Sequence, residues 1–167
     1  NGLFAEQAGV EQAALWYYNG QGRGERYVER DSDTRDVFNF DTRFRARVTT
    51  YLSPNGQFHE FERYILLPKQ PHPFGEHPNV EKTERIFYVL REKNGTRYVF
   101  NCRGQLIYIL SRFDSKARNV RVTLYYGGPI NPLTQNRMLR LIEDAAGRKY
   151  VVQTTPINQG AYATNYD

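Results

Sequence analysis

One cysteine, one tryptophan and one methionine are all that 167 residues offer of those types. With Cys102 alone, no internal disulfide can form, and a catalytic dithiol is excluded. No stretch of about 18 consecutive apolar residues is present, so no helical membrane span is expected. A basic-then-apolar leader is also missing. Both ends, Asn1-Gly2 and Tyr166-Asp167, read as internal to a longer polypeptide, so these absences exclude no compartment. Charge of one sign is lacking too. Lys and Arg number 23 against 18 Asp and Glu, a net of +5, and the two signs are interspersed. That balance permits weak attraction to polyanions, but no nucleic-acid-binding motif accompanies it, so no nucleic-acid partner is expected.

What the chain has instead is Tyr and Phe, 13 and 10 of them, within a composition that is 40% apolar. These rings favour pleated, half-buried surfaces over helices. At this length a chain can bury roughly two-thirds of its unfolded surface, so a core needs no staple. The expected fold class is all-β, built mainly of antiparallel hairpins. One short N-terminal helix is the exception considered: in residues 3–16, Phe4, Ala8, Glu11 and Leu15 follow helical spacing among good helix formers. The same segment is equally compatible with extended chain inside a larger protein.

From Trp16 onward the pattern is that of strands. Phe38, Phe40, Phe44, Ala46 and Val48 alternate with polar positions that include Arg43, Arg45 and Arg47, the period of a half-buried strand. Residues 53–57, Ser-Pro-Asn-Gly-Gln, form a hairpin turn signal, because Pro presets φ and Asn-Gly accepts positive φ. Residues 58–67 supply the returning strand. Four prolines in 68–79 break any ladder and predict an irregular surface loop. Residues 84–114 read as three strands joined by turns at 93–95 and 102–104, and 119–128 as another. Residues 136–143 fit a helical stripe ending at Gly147 or a strand turning at 144–147. The organisation expected is a segment 1–15, then a β-rich region 16–167 carrying the 68–79 loop.

A recurring unit favours the strand for 136–143. Tyr17-Tyr18-Asn19 is followed by Gly22-Arg23. Phe38-Asn39-Phe40-Asp41 is followed by Phe44-Arg45. Tyr98-Val99-Phe100-Asn101 is followed by Gly104-Gln105, and Asp144 by Gly147-Arg148 and Tyr150. The Asn or Asp positions 19, 41, 101, 144 and 167 lie 22, 60, 43 and 23 residues apart, near multiples of 20–23. In a complete unit, such as 98–104, aromatics at i and i+2 share a strand face, Asn or Asp bonds the turn backbone, and Gly takes the positive φ; after Asp41, Phe44 replaces the turn Gly. A lone hairpin leaves its apolar face exposed, so such units must stack.

These aromatic-x-aromatic-Asp/Asn-x-x-Gly-Arg units resemble the YD repeats of Rhs proteins, toxin-complex C subunits and teneurins. Residues 142–148, Ile-Glu-Asp-Ala-Ala-Gly-Arg, fit the family's I-x-D-x-x-G-R segment. Residues 114–119 occupy the preceding segment without its Gly. The resemblance covers 81–155 well and 16–66 more weakly. It implies a curved β-shell that encloses a polypeptide, often a C-terminal toxin, in a secreted or cell-surface protein delivered by a secretion system. The implied partners are the rest of the same polypeptide or a neighbouring chain, plus the enclosed protein cargo. The family's self-cleaving motif is absent here, so the resemblance supplies no catalytic residue and no cofactor. The Arg43, Arg45 and Arg47 stripe is then either a wet sheet face or a polar lining for cargo.

Other chemistry is sparse. His72, Glu76 and His77 have metal-ligand chemistry, but they sit in a Pro- and Gly-containing loop with no fixed face, so a solvated loop is the expectation and no metal site is assigned. Glu60 with Glu62 and Glu143 with Asp144 are carboxylate pairs, which act on glycosides only at set separations in a cleft. Arg103 beside Cys102 would lower the thiol pKa, but no His accompanies it. A non-enzymatic scaffold is therefore expected. The alternative is an extracellular recognition module that presents Tyr and Arg to carbohydrate or protein.

Overall fold

Antiparallel pairing between strands adjacent in the chain builds all of the described architecture. The computed structural model describes residues 2–6, 14–18, 23–39, 42–53, 59–75, 77–81, 83–114, 120–133 and 136–153. Eleven strands run in order: β1 (Gly2–Glu6), β2 (Ala14–Tyr18), β3 (Gly24–Asn39), β4 (Thr42–Leu52), β5 (Glu60–Leu66), β6 (Ile86–Arg91), β7 (Arg97–Phe100), β8 (Leu106–Leu110), β9 (Arg121–Gly127), β10 (Met138–Glu143) and β11 (Lys149–Val151). They form a single sheet whose spatial order is the chain order. The described residues are thus all-β and contain no helix.

The N-terminal helix is not found at either end of its expected range. Residues 3–6 lie in β1 and 14–16 in β2, paired with Phe4 opposite Trp16 and Ala5 opposite Leu15. Residues 7–13 lie outside the described residues. Tertiary pairing overrides local helix propensity here, because β2 also pairs with β3 and buries Leu15 and Tyr17. The ambiguous segment 136–143 is resolved as strand β10, flanked by β9 and β11.

Both faces of the central strands are apolar. Ile86-Phe87-Tyr88-Val89-Leu90 in β6 and Leu106-Ile107-Tyr108-Ile109-Leu110 in β8 run without a polar break, as strands buried on both faces do. A flat sheet would expose one face, and this one rolls instead. The Tyr17 ring on β2 lies 6.2 Å from Phe100 on β7, although five strand steps at about 4.8 Å would separate them by roughly 24 Å in a flat sheet. Tyr17 and Tyr27 also meet Phe61 of β5, at 5.4 and 4.6 Å between ring centroids. β2 and β3 thus fold over β5–β7 and seal an inner core of Leu15, Tyr17, Tyr27, Tyr51, Phe61 and Phe100. Bulges at Arg30 in β3 and at Ile107 in β8, the latter opposite Val99 and Phe100, are suited to bending the sheet.

The outer face is covered by the proline-rich segment. The expected surface loop at 68–79 is irregular and exposes Pro68, Lys69, Pro71 and Pro78, but it is not solvated throughout: Phe74 and His77 within it, and Val80 just after it, are buried. Phe74 packs on Phe87 and Tyr108, with centroids at 5.8 and 5.3 Å. The apolar outer face of β6–β8 gives this loop a surface to dock on. Phe44, Val48, Tyr64, Phe87 and Val99 complete the second core.

Within the outer core a carboxylate ties three strands. Glu62 of β5 accepts from Arg91 Nε of β6 at 2.7 Å, from Arg35 Nη2 of β3 at 3.2 Å and from the Tyr64 hydroxyl. Arg91 Nη2 in turn donates to Tyr64 Oη at 3.2 Å. A buried carboxylate is tolerated only when it is surrounded by donors in this way.

Phe61 is 0% exposed, whereas Phe38 is 65% exposed. Phe61→Ala is expected to lower unfolding free energy by about 3–5 kcal/mol, the usual range for a core phenylalanine. Phe38→Ala should fall within about 0.5 kcal/mol of the parent. Urea titration of the two variants checks the ranking.

Candidate functional site

The recurring turn is the best-defined local object in the chain. In residues 101–105 the Asn101 N–H donates to Gln105 O at 2.9 Å and the Gly104 N–H to Asn101 O at 3.0 Å. Residues 144–148 repeat this, with Asp144 N to Arg148 O at 3.0 Å and Gly147 N to Asp144 O at 2.9 Å. Residues 92–96 do so again, with Glu92 N to Thr96 O and Gly95 N to Glu92 O, both at 2.9 Å. Gly104 and Gly147 have φ of 76° and 77°, the left-handed position of a three-residue hairpin loop.

The leading residue of the two Asn/Asp turns caps the backbone with one oxygen. Asn101 Oδ1 accepts from the N–H groups of Arg103 and Gln105, both at 3.0 Å. Asp144 Oδ1 accepts from Ala146 at 2.9 Å and Arg148 at 3.0 Å. The second side-chain atom then selects the residue after Gly. Asp144 offers an acceptor, Oδ2, and Arg148 Nε donates to it at 2.6 Å. Asn101 offers a donor, Nδ2, which meets the Gln105 Oε1 acceptor at 3.3 Å. Asp with Arg and Asn with Gln are therefore matched pairs. Desolvation pushes the Asp144 carboxyl up, but the Arg148 N–H and guanidinium and the Ala146 N–H outweigh it and hold it below its ordinary value.

The aromatics of the units are less uniform than the turns. Tyr98 and Phe100 pack into the inner core as expected. Phe38, Tyr18 and Tyr150 are exposed. Tyr18 lies over Gly24, its cross-strand partner, where an added Cβ would sit 2.9 Å from Cε1. Asn19, Gly22, Phe40 and Asp41 lie outside the described residues. Arg43, Arg45 and Arg47 are exposed on one face of β4. Arg43 and Arg45 face Asp36, the latter at 3.7 Å, and Arg47 Nε donates to Ser32 Oγ at 3.0 Å.

A cleft opens beside the Asn101 turn, and its origin lies in the sheet. β8 pairs with β9 only from Tyr108 opposite Thr123 to Leu110 opposite Arg121. Beyond that the two strands splay apart. The carboxamide of Asn79 in the proline-rich loop takes the place of the missing strand neighbour: Oδ1 accepts from Tyr126 N at 2.9 Å, and Nδ2 donates to Tyr126 O at 3.0 Å. The Tyr126 hydroxyl bridges the gap to Leu106 O at 2.8 Å. The resulting cleft, about 290 Å³, is lined by Asn79, Glu81, Asn101, Arg103, Gln105 and Arg137, with Tyr126 behind them. Arg103 pairs with Glu81 at 3.0 Å. No sequence motif marked this cleft. Asn79 closes the proline-rich loop, and its role depends on a strand 47 residues away.

The candidate chemical groups do not converge. Glu62 is held in its arginine network, Glu143 accepts from the Tyr125 hydroxyl at 3.4 Å, and Asp144 is committed to its turn. Burial and Glu84 push the Cys102 thiol up to about 11 despite the pull of Arg103, the reverse of the activation that its neighbour suggested. No group of three or more His, Cys, Asp and Glu suited to a metal occurs among the described residues, and Glu76 lies outside them. His72 and His77 are structural. Their Nδ1 atoms accept from Phe74 N and Asn79 N, each at 3.0 Å, and the His72 Nε2 is buried without a partner among the described residues. Burial lowers both to about 4; at His77 the Leu124 carbonyl pulls the other way and loses. Comparison with family models, curated proteins and solved structures finds no match to this chain.

Two predictions follow from these groups. Asn101 is nearly fully buried, so Asn101→Asp places a carboxylate against Gln105 Oε1 and the Asn79 carbonyl and should cost at least about 2 kcal/mol. Adding Gln105→Arg should recover part of that loss in a double-mutant cycle, whereas Asp144→Asn at the exposed turn should cost less than Asn101→Asp. The histidines act through pH. The unfolded chain takes up protons below about 6.5, while the folded chain resists until about 4, so stability falls as pH drops through that window. The slope of unfolding free energy against pH near 5.5 should include about one proton per histidine, and His77→Gln should remove one of them.

Proposed function

We propose that this chain is a non-catalytic wall segment of a YD-repeat β-shell that encloses a polypeptide cargo. The observation that carries this reading is the turn shared by residues 92–96, 101–105 and 144–148, set in a meander of antiparallel hairpins. Such hairpins add one after another without changing the fold of those before them. The last described hairpin, β10–β11, supports further addition. Met138, Tyr150 and Val151 are exposed, Val151 at 75%, and no described strand pairs with the outer edge of β11. Open apolar edges recruit partners. The expected partner is the rest of the same polypeptide or a neighbouring chain, in a secreted or cell-surface assembly.

A second reading rests on a different observation. The roll is filled by Tyr17, Tyr27, Phe61 and Phe100, so this stretch encloses side chains instead of a lumen. A filled, rolled sheet with Arg43, Arg45 and Arg47 exposed also suits a module that recognises carbohydrate or protein at its surface.

The two readings differ in solution. A wall segment should self-associate through its free edge as concentration rises, and Tyr150→Lys with Val151→Lys should return it to monomer in light scattering. A chain that stays monomeric across the dilution series and loses a glycan or protein ligand on Arg45→Ala would overturn the shell reading in favour of the recognition module.

A further inference from the structure

We infer that the splayed seam between β8 and β9 is a binding site for a small polyhydroxylated carboxylate, a sugar acid of the uronate type. The cleft is about 290 Å³, at the small end of ligand sites and suited to one sugar ring. Its lining carries two guanidiniums, Arg103 and Arg137, against one carboxylate, Glu81. Arg103 is committed to Glu81, and the Glu84 carboxylate lies beside them on the backbone N–H groups of Glu81 and Cys102, so among the described lining residues Arg137 is the cation left to attract an anion. Arg137 is exposed at the cleft, and the planar fork of a guanidinium suits a carboxylate.

The buried amides select the rest of the ligand. Asn101 is saturated: Oδ1 takes two backbone N–H groups, and Nδ2 donates to Asn79 O and to Gln105 Oε1. Gln105, 7% exposed, is not saturated. Its Nε2 donates once, to Arg137 O at 2.9 Å, and its Oε1 accepts once. Among the described residues, one N–H and one lone pair of Gln105 are therefore left for a group that both donates and accepts, as a hydroxyl does. The polar lining disfavours an apolar ligand. The site stands apart from the Arg43, Arg45 and Arg47 surface and from the edge of β11, so its test is independent of both readings of function.

Isothermal titration of the full chain with glucuronate tests the assignment, with glucose, acetate and glycylglycine as comparison ligands. Glucuronate should bind at least roughly tenfold tighter than glucose or acetate, because only it supplies both the charge and the hydroxyls. Arg137→Ala should weaken glucuronate roughly tenfold and leave glucose unchanged. Glu81→Gln removes the opposing carboxylate and should tighten glucuronate severalfold. Both residues lie at the surface, so the fold survives either change, and far-ultraviolet circular dichroism verifies it. Absence of glucuronate binding, or binding indifferent to both variants, overturns the site. Equal or tighter binding of glycylglycine overturns the sugar class and assigns the cleft to peptide carboxylates.

Discussion

A single sheet with two apolar faces must hide both, and the other features of this chain follow from that constraint. Strand β6 is apolar from Ile86 to Leu90 and β8 from Leu106 to Leu110, so neither face can be left to water. Rolling β2 and β3 over β5–β7 hides one face. The proline-rich loop hides the other. The loop can do this because its prolines keep it out of the ladder while Phe74 and Val80 reach the sheet. The buried histidines are a consequence. Packed between aromatic rings, with Nδ1 satisfied by the loop's own backbone, they remain neutral and join the cap.

The polar groups inside this arrangement are organised around satisfaction of hydrogen bonds. Glu62 collects two guanidiniums and a hydroxyl. The turn residues are matched by chemistry, acceptor with donor: Asp144 with Arg148 and Asn101 with Gln105. Asn79 stands in for a strand where β8 and β9 part. The cleft exists because that substitution satisfies the Tyr126 backbone without closing the gap. Scaffold and candidate site thus have one origin, a sheet that bends further than continuous pairing allows.

Much of the hairpin framework was legible along the chain. Asn-Gly at 94–95 and Gly at 104 and 147 mark turns because only a residue at ease with positive φ closes a three-residue loop, and the structure has φ of 91°, 76° and 77° there. The Asn101 and Asp144 units were legible for the same local reason. The exposure of Phe38 and Tyr150 was not, because period-two alternation separates two faces without saying which one is buried. Of the two readings left open for 3–16, the described ends, 3–6 and 14–16, take the extended one, because spacing over four residues cannot register a partner strand. The burial of Phe74 and His77 in the proline-rich loop was not legible, because proline content reports on the ladder and is silent on docking.

Strand class, turn positions and capping chemistry are local properties, each fixed by the φ, period or donor count of a few adjacent residues. The tertiary structure alone decided which aromatics meet, since Tyr17 and Phe100 are 83 residues apart yet lie in contact. It also decided that a proline-rich loop is a lid on the core and that a cleft opens between β8 and β9. Those outcomes depend on how far the sheet rolls, and the roll is set by the burial of two faces at once, a property of the assembled sheet and of no single segment.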